Sequence, residues 1–409
     1  MNKLPELLAP AGDEEKLRFA IAYGADAVYL AGQHFGMRAA AENFDEDALR
    51  RAVTYAHTRG VKCYITVNIM PSNRDLPALP AYLELLQDVG ADSLIVADVG
   101  VLRMAQRYAP KVPLHISTQT SILNHEAANF WAELGAERIV LARELSLTEI
   151  AEIRAKTPKA LEIEAFVHGA MCISYSGRCL ISQYMTGRDA NRGACAQPCR
   201  WKYSLMEEKR PGEYFPVEQD ESGTYLYNSK DLCMIEHIPA LIAAGVDSFK
   251  IEGRNKTAYY AACVTGAYRA ALDAYRAAPE AFALPSFCRE EVEKVSHRAY
   301  YTGFYFGTEQ NGQHYEDSQY IREYEVVGMP VETDADGRAV FALKNRLFQG
   351  EELELLQPGR PPYTFRADRV LNDEGEALAC FNVPQMRIHF RFPFPVDRFA
   401  ILRKKKERP

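Results

Sequence analysis

The sequence Glu6-Leu-Leu-Ala-Pro-Ala-Gly-Asp13, followed by a helical stretch and then by Gly24-Ala-Asp-Ala-Val-Tyr-Leu-Ala31, decides the fold of this chain. The apolar run over 6–10 predicts a short buried strand, and Asp13 carries a side chain suited to cap a helix over 14–23. Gly24 ends that helix, and the apolar run over 27–31 predicts a second strand. Two strands joined by a crossover helix become parallel neighbours in one sheet.

The same cycle of strand and helix repeats along the chain. Further strands are predicted over 61–68, 93–98, 113–118, 138–143, 161–167, 224–227 and 248–252, and further helices over 46–59, 77–89, 101–108, 125–134, 147–156, 234–244 and 257–278. About eight such units predict an α/β fold closed as a TIM-like (β/α) barrel, with an open doubly wound sheet as the alternative. No glycine-rich dinucleotide fingerprint follows the first strand, which argues against a Rossmann fold.

The pattern changes near residue 319. Beyond it, short apolar segments at 324–329, 339–343, 352–356, 363–366 and 399–402 alternate with turns rich in Gly, Pro and Asp, which predicts a small C-terminal all-β barrel domain. The chain is therefore divided into a TIM-like barrel domain over 1–281 with a cysteine-rich insertion at about 168–222, a helical bridge over 282–318 and the β domain over 319–409.

Length and composition bound the class of protein. The 409 residues exceed one ordinary domain, and the formal net charge of -7 gives no global basic footprint for nucleic acid. No stretch approaches the roughly 18 to 20 apolar residues of a membrane span, so no membrane association is expected. The start Met1-Asn-Lys-Leu-Pro-Glu6 lacks the pattern of a secretory leader, which predicts a cytoplasmic protein in a reducing compartment.

Four cysteines within 28 residues carry the strongest chemical signal: Cys172, Cys179, Cys195 and Cys199. Clustered thiolates hold zinc or an iron-sulfur cluster. Zinc knuckles have two to four intervening residues in both pairs, but the first pair here has six. The spacing therefore favours a [4Fe-4S] cluster over structural zinc.

The other cysteines are predicted to be structural, with one exception. Cys63, Cys263 and Cys380 lie in apolar elements and Cys288 is expected at the surface or in packing, as small hydrophobic residues. Cys233 competes with Cys199 for the fourth ligand position.

Polar residues at the carboxyl ends of the predicted strands form the candidate site, because a parallel barrel builds its site there. Candidate catalytic residues are Glu164, His168, Arg143, Lys250 and Glu252, and candidate substrate-binding residues are Asn68, Asp98, Gln119 and Arg254. Any one of them can instead cap a helix or tie a loop. The cysteine-rich insertion leaves the strand ending at 167, so it is expected to rise from the same face.

The basic tail Arg403-Lys-Lys-Lys-Glu-Arg408 has two readings. It is either a solvated, frayed terminus or an arm that contacts phosphates.

Four motifs lie along essentially the whole chain: Glu6 to Gly12 with Gly24 to Tyr29, Glu164 to Ser182, Asn228-Ser-Lys-Asp231 and Lys250-Ile-Glu-Gly-Arg254. Together they make the sequence resemble the peptidase U32 family. Within that family, the full-length arrangement is most similar to the proteins of tRNA 5-hydroxyuridine synthesis.

The resemblance implies a specific chemistry. It implies a [4Fe-4S] cluster on Cys172, Cys179, Cys195 and Cys199, with Cys233 as the other candidate for the fourth position, and prephenate as co-substrate. It also implies tRNA as the partner in an uridine hydroxylation, with a second U32-family protein as a further partner. Because prephenate carries two carboxylates, Arg143 and Arg254 are candidate anchors for it.

Two other functions have less support in the sequence. A zinc protease needs a second histidine that His125-Glu-Ala-Ala-Asn129 lacks, and no Gly-x-Ser-x-Gly elbow occurs. A thiol protease built on Cys172 and His168 would leave three clustered thiols unexplained. The third function is noncatalytic: a structural cluster in a protein that delivers RNA or a partner to another enzyme.

Overall fold

Eight parallel strands close into a barrel in the first part of the computed structural model, which describes residues 4–38, 42–172, 174, 178–201, 219–220, 223–224, 230–307 and 320–406. The strands are β1 (Glu6–Pro10), β2 (Ala27–Leu30), β3 (Lys62–Val67), β4 (Ser93–Val96), β5 (Leu114–Ile116), β6 (Arg138–Val140), β7 (Glu162–Ala170) and β8 (Ser248–Ile251). β8 pairs with β1 on one side and β7 on the other, so the sheet closes. The predicted TIM-like barrel is confirmed.

The helices of the described residues lie mostly on the outside of this barrel, and the short helix Ile181–Thr186 belongs instead to the cysteine-rich insertion. They are α1 (Glu14–Ala22), α2 (Glu46–His57), α3 (Leu79–Asp88), α4 (Val99–Tyr108), α5 (His125–Glu133), α6 (Leu147–Lys156), α7 (Ile181–Thr186), α8 (Ile238–Ala243), α9 (Ala258–Ala277) and α10 (Ser286–Glu293). Side-chain caps start many of them: Asp13 accepts from the third residue of α1, as predicted, and Ser146 with Glu149 forms a capping box on α6. Across the described ranges, no helix combines the length and apolar character needed to cross a bilayer.

Strand β7 is longer than predicted and leaves the barrel. Its last residues, from His168, pair antiparallel with the short strand Asp231–Cys233, which in turn pairs with Tyr300–Tyr301. Gly169 lies at this exit with a φ of 109°, and a Cβ there would lie 2.4 Å from the carbonyl oxygen of Glu252. A glycine is therefore required where β7 passes the end of β8.

One strand assignment is largely untested by the structure, and one helical assignment differs from it. The strand predicted over 224–227 lies mostly outside the described residues, and Thr224 belongs to a two-residue hairpin with Gln219–Asp220. The bridge predicted as helical over 282–318 contains α10, but Tyr300–Tyr301 joins the main sheet and 308–319 lie outside the described residues. Strand pairing, which depends on distant residues, decides the conformation at Tyr300–Tyr301.

The C-terminal domain is an antiparallel sheet around its own core. Its six strands are β9 (Tyr324–Thr333), β10 (Arg338–Leu343), β11 (Glu352–Leu356), β12 (Tyr363–Arg366), β13 (Arg387–Arg391) and β14 (Ile401–Lys405), in the order β12-β11-β14-β9-β10-β13. Within 320–406 the edge strands β12 and β13 are not paired, but Phe365 and Phe390 pack with ring centroids 5.8 Å apart. The sheet therefore curls until its two edge strands pack through these rings, and the predicted small all-β C-terminal domain is confirmed.

Residues Arg403 to Lys405 of the basic tail are part of this sheet. Arg403, on the interior strand β14, has no exposed surface, and its guanidinium lies 2.7 Å from Glu291 of α10 and 2.9 Å from Glu354 of β11. Lys404 is ion-paired with Glu351 at 2.8 Å. Both readings of the tail are thus wrong for these two residues, because their charges are neutralised inside the fold; Arg408 lies outside the described residues.

We expect Arg403→Met to destabilise the docking of the β domain on the barrel. The substitution leaves the buried carboxylate of Glu291 without its main partner, which costs about 3–5 kcal/mol of unfolding free energy. Urea unfolding followed by circular dichroism measures the loss. The matched change Lys405→Met removes a charge that is two-thirds exposed and should cost less than about 1 kcal/mol. Equal midpoints for the two variants would contradict this role of Arg403.

Candidate active site

A cavity of ≈ 90 Å³ lies at the mouth of the barrel, where the carboxyl ends of the strands meet. Six of the predicted site residues line it: Asn68, Gln119, Arg143, Lys250, Glu252 and Arg254. Ser117 and Thr118, from the loop after β5, line it as well. The rule that barrel sites form at strand ends therefore brings these side chains together as predicted.

Lys250 is held in the cavity wall by a buried ion-pair network beneath it. Its ammonium lies 2.7 Å from one oxygen of Glu164, and Arg138 lies 3.0 Å from the other. Arg138 also reaches Glu6 at 2.6 Å. Burial alone would lower the pKa of Arg138, but Glu164 and Glu6 raise it overall, so the cation is secure. Glu164, predicted to be catalytic, does not line the cavity and instead positions Lys250.

Two arginines of the cavity have no carboxylate partner within the described residues. Arg254 is 3% exposed and donates to the hydroxyl of Thr66 at 3.3 Å. Its burial lowers the pKa of Arg254 to about 10, which still leaves it charged at neutral pH. Arg143 donates to the carbonyl of Ala170 at 3.0 Å and lies over the ring of Phe166. Both guanidinium groups retain donors for a ligand.

Glu252 is the acidic residue of the cavity lining, and Arg38 pairs with it at 3.1 Å. Burial would raise the pKa of Glu252, but Arg38, Arg143 and Arg254 lower it overall, so the carboxylate stays ionised. With Lys250, the lining holds four cations against one anion. The mouth of the barrel is therefore positive, although the chain as a whole carries a net charge of -7.

His168 and Asp98 were predicted as site residues, but neither lines the cavity. Asp98 caps α4 by accepting from Val101 at 3.0 Å. His168 is buried against α9: its Nε2 lies 3.2 Å from the hydroxyl of Tyr300, and its ring packs edge-on against Tyr268. Burial, with a smaller effect of His297, lowers the pKa of His168 to about 3. The structure thus places a neutral, packed imidazole at a position where a catalytic residue was predicted.

The cysteine-rich insertion lies over the mouth, as its exit from β7 indicated. Arg178 donates to the carbonyl of Gln119 at 3.0 Å, and Arg192 forms a two-pronged pair with Asp75 at 2.6 and 2.7 Å. Gly193, with a φ of 87°, approaches the loop after β2 so closely that a Cβ would lie 3.1 Å from Gly36. These contacts fix the insertion on loops that carry cavity residues.

The nine thiols fall into two environments. Cys63, Cys233, Cys263 and Cys288 are buried, and Cys172, Cys179, Cys195, Cys199 and Cys380 are exposed or half-buried. Burial raises the pKa of Cys263 and of Cys288 to about 12 and that of Cys233 to about 11. The buried thiols are therefore neutral in these surroundings, and the four insertion cysteines belong to the accessible group.

Two insertion cysteines already accept backbone hydrogen bonds at sulfur. The amide of Ile181 lies 3.4 Å from Sγ of Cys179, and the amide of Gln197 lies 3.3 Å from Sγ of Cys195. Such N–H donors stabilise a thiolate and suit a cluster ligand. In the part of the chain that the structure describes, no group of three His, Cys, Asp or Glu side chains is placed to hold one metal ion. The cluster therefore stays a prediction.

Arg38 is the main cavity residue that the sequence reasoning missed. Arg38 lies eight residues beyond the end of β2, in a long loop, whereas the predicted site residues lie at or close after the ends of their strands. Glu252 chiefly raises the pKa of Arg38, and Tyr29 and Cys172 raise it to a lesser degree. The length of this loop was the available signal, since long barrel loops at this face commonly carry site residues. Tyr29, Met37, Thr66 and Phe166 also line the cavity unpredicted.

Comparison with known proteins gives consistent matches. The family model described as peptidase family U32 matches residues 12–315, and that of the peptidase family U32 C-terminal domain matches 322–403. The chain is 39% identical over 412 residues to tRNA hydroxylation protein P1 of Bacillus subtilis, covering 99% of this chain and 96% of that protein. It is 42% identical over 269 residues to the 23S rRNA 5-hydroxycytidine C2501 synthase of Escherichia coli, and this match covers 66% of this chain and 39% of that protein. It is 34% identical over 312 residues to a collagenase of Porphyromonas gingivalis, and this match covers 74% of this chain and 73% of that protein.

The low pKa of His168 predicts a pH dependence of stability. The pKa of a histidine in the unfolded chain is about 6.5, whereas the pKa of His168 in the folded protein is about 3. Between these two pH values the unfolded chain therefore binds one more proton than the folded protein. Stability therefore falls as pH decreases from about 6.5 toward 3, by about 2 kcal/mol between pH 7.5 and 5 from this residue alone.

Unfolding experiments on the wild type and on His168→Gln and His168→Phe at both pH values measure this contribution. The two variants differ in packing and hydrogen bonding, but both lack the titrating ring, so both should lose the same roughly 2 kcal/mol of pH dependence. A wild-type dependence retained in both variants would show that His168 is not the buried neutral group described above.

Proposed function

We propose that this chain, which belongs to peptidase family U32, is an iron-sulfur enzyme that forms 5-hydroxyuridine in tRNA. The observation that carries the proposal is similarity along nearly the whole chain to tRNA hydroxylation protein P1. The similarity to an rRNA 5-hydroxycytidine synthase supports the same class of reaction, in which a pyrimidine of RNA gains a hydroxyl group.

The charges of the cavity support an anionic co-substrate with two carboxylates, and we propose prephenate in this role. Arg143 and Arg254 have no carboxylate partner within the described residues, and a guanidinium group binds a carboxylate through two parallel hydrogen bonds. Lys250 is anchored by Glu164 and adds a third cation in a fixed position. A dianion bound here would compensate the desolvation of the buried Arg254.

We propose that Cys172, Cys179, Cys195 and Cys199 hold a [4Fe-4S] cluster beside this cavity. A bound cluster would supply an electron-transfer centre or a Lewis acid. The accessible thiols, the amide donors to Cys179 and Cys195 and the anchoring of the insertion over the mouth support the assignment. Cys233 stays the competing fourth ligand; its thiol is buried beside the hydroxyl of Tyr268, which favours Cys199.

The peptidase function that the family name suggests has less support in the geometry. A thiol protease needs a histidine that takes the proton of its cysteine. His168, the candidate partner of Cys172, has its Nε2 engaged by Tyr300, and its low pKa makes it a poor base. A noncatalytic protein that delivers RNA needs to bind the RNA but does not need the cavity cations. Substitutions of those cations would therefore abolish a catalytic function and leave a delivery function intact.

The cluster assignment predicts iron content. Protein purified without oxygen should be brown and contain about four irons and four sulfides per chain. Cys172→Ser, Cys179→Ser, Cys195→Ser and Cys199→Ser should each lose iron, whereas Cys233→Ser should keep it. Cys380→Ser, a half-buried thiol of the C-terminal domain, is the matched control. Stoichiometric zinc without sulfide would refute the cluster, and loss of iron in Cys233→Ser but not Cys199→Ser would give the fourth position to Cys233.

The functional proposal predicts the nucleosides of tRNA. A deletion strain with no redundant relative should lack 5-hydroxyuridine and its derivatives in total tRNA, as measured by mass spectrometry, and the wild-type gene should restore them. Arg143→Lys and Arg254→Lys keep the charge but lose the two-pronged geometry, so we expect a roughly 10- to 100-fold higher prephenate requirement in the purified system. Arg107→Lys, an exposed residue of α4, is the matched control. Full modification in the deletion strain, or digestion of collagen by the pure protein, would contradict the proposal.

A further inference from the structure

Segment 178–201 of the cysteine-rich insertion combines two unusual surface properties. It contains four arginines and one aspartate in a chain whose net charge is -7. It also presents Leu180, Tyr184, Met185 and Trp201, which are 72%, 92%, 46% and 44% exposed. These are four of the twelve strongly exposed large apolar side chains of the described residues. A concentration of exposed apolar and cationic groups marks an interaction surface.

We propose that this surface binds unpaired nucleotides of the RNA substrate, with the ring of Tyr184 stacked on a base that neighbours the target uridine. We call it the α7 face and define it by Leu180, Tyr184 and Arg188. The inference rests on the proposed function and adds to it the place where the RNA is held outside the cavity.

The chemistry of the α7 face favours a single-stranded nucleic acid over a protein partner. Single-stranded RNA is bound by aromatic rings that stack on its bases and by cations that contact its phosphates. Tyr184 supplies the ring, and almost all of it is exposed. Arg178 and Arg188 donate to backbone carbonyls, and no carboxylate of the described residues forms an ion pair with either of them. The excess of cations continues into the cavity and produces one positive field over the mouth.

The α7 face is connected directly to the cavity. Arg178 donates to the carbonyl of Gln119, a cavity residue, at 3.0 Å. Tyr184 follows six residues later, so its Cα lies at most about 22 Å from the Cα of Arg178. Part of this stretch is helical, which shortens the separation further. A nucleotide on Tyr184 and the target base at the mouth can therefore belong to the same short unpaired segment.

Helix α7 is held firmly enough to serve as a stacking platform. The hydroxyl of Ser182 accepts from the amide of Ala196 at 3.0 Å, and the sulfur of Cys179 accepts from Ile181 at the start of the helix. Asn191 bonds the amide and carbonyl of Cys179 at 3.2 and 3.1 Å. A surface ordered in this way loses little conformational entropy when a ligand binds.

The test measures binding of the full-length, cluster-loaded protein to unmodified tRNA from a deletion strain at several salt concentrations. Tyr184→Ala should weaken binding roughly 5- to 150-fold, because stacking of one base is lost, and should leave the salt dependence unchanged. Tyr184→Phe keeps the stacking ring and should bind as the wild type does. Arg188→Gln should reduce the slope of log affinity against log salt by about 0.7. Phe130→Ala changes an aromatic residue of α5 that is 54% exposed and should have no effect.

Modification of tRNA in the complemented deletion strain separates failure of this inference from failure of the proposed function. If the wild type restores 5-hydroxyuridine and Tyr184→Ala binds and modifies tRNA equally well, the α7 face is not the RNA site, while the proposed function stands. If Tyr184→Ala keeps its tRNA affinity but loses a protein partner, the surface is a protein interface and the inference is overturned. If the wild type itself restores no modification, the proposed function fails and the inference fails with it.

Discussion

The barrel interior depends on the buried ion pairs of Glu164, whose side chain has no exposed surface. It accepts from Lys250 on one oxygen and from Arg138 on the other, and Arg138 extends the network to Glu6. These four side chains come from β7, β8, β6 and β1, the strands on both sides of the seam where the barrel closes. Because removing one partner of a buried ion pair costs about 3–5 kcal/mol, the set stays together and fixes the ammonium of Lys250 at the mouth.

The positive charge of the mouth follows from how this network ends. Lys250 is ion-paired with Glu164, and Arg38 with Glu252, but Arg143 and Arg254 form no ion pair with a carboxylate of the described residues. Buried cations are costly unless an anion completes them, so the cavity is organised for a negatively charged ligand. The cationic α7 face carries the same field outward, which suits an RNA that must approach an otherwise acidic protein.

The exit of β7 from the barrel links the cavity to the cysteine-rich insertion. Ala170 and Asp231 are paired neighbours, so the two ends of the insertion meet in one short antiparallel ladder. Gly169 permits this because β7 passes the carbonyl of Glu252 at a distance that no Cβ allows. From that base, the contacts of Arg178 and Arg192 hold the insertion against the loops of the mouth.

The sequence by itself determined the order of strands and helices, the cap of α1, the cysteine set and six residues of the cavity, because periodicity, capping and strand-end position are local properties. Only the tertiary structure decided the rest. An irregularity between Lys250 and Ile251 pairs Ile251 with His168 instead of Val167. Such a bulge turns the side chain of His168 away from the cavity. Arg403 reads as a tail charge in the sequence, yet β14 buries it between carboxylates that are 49 and 112 residues distant. Both outcomes depend on partners far along the chain, which no local pattern contains.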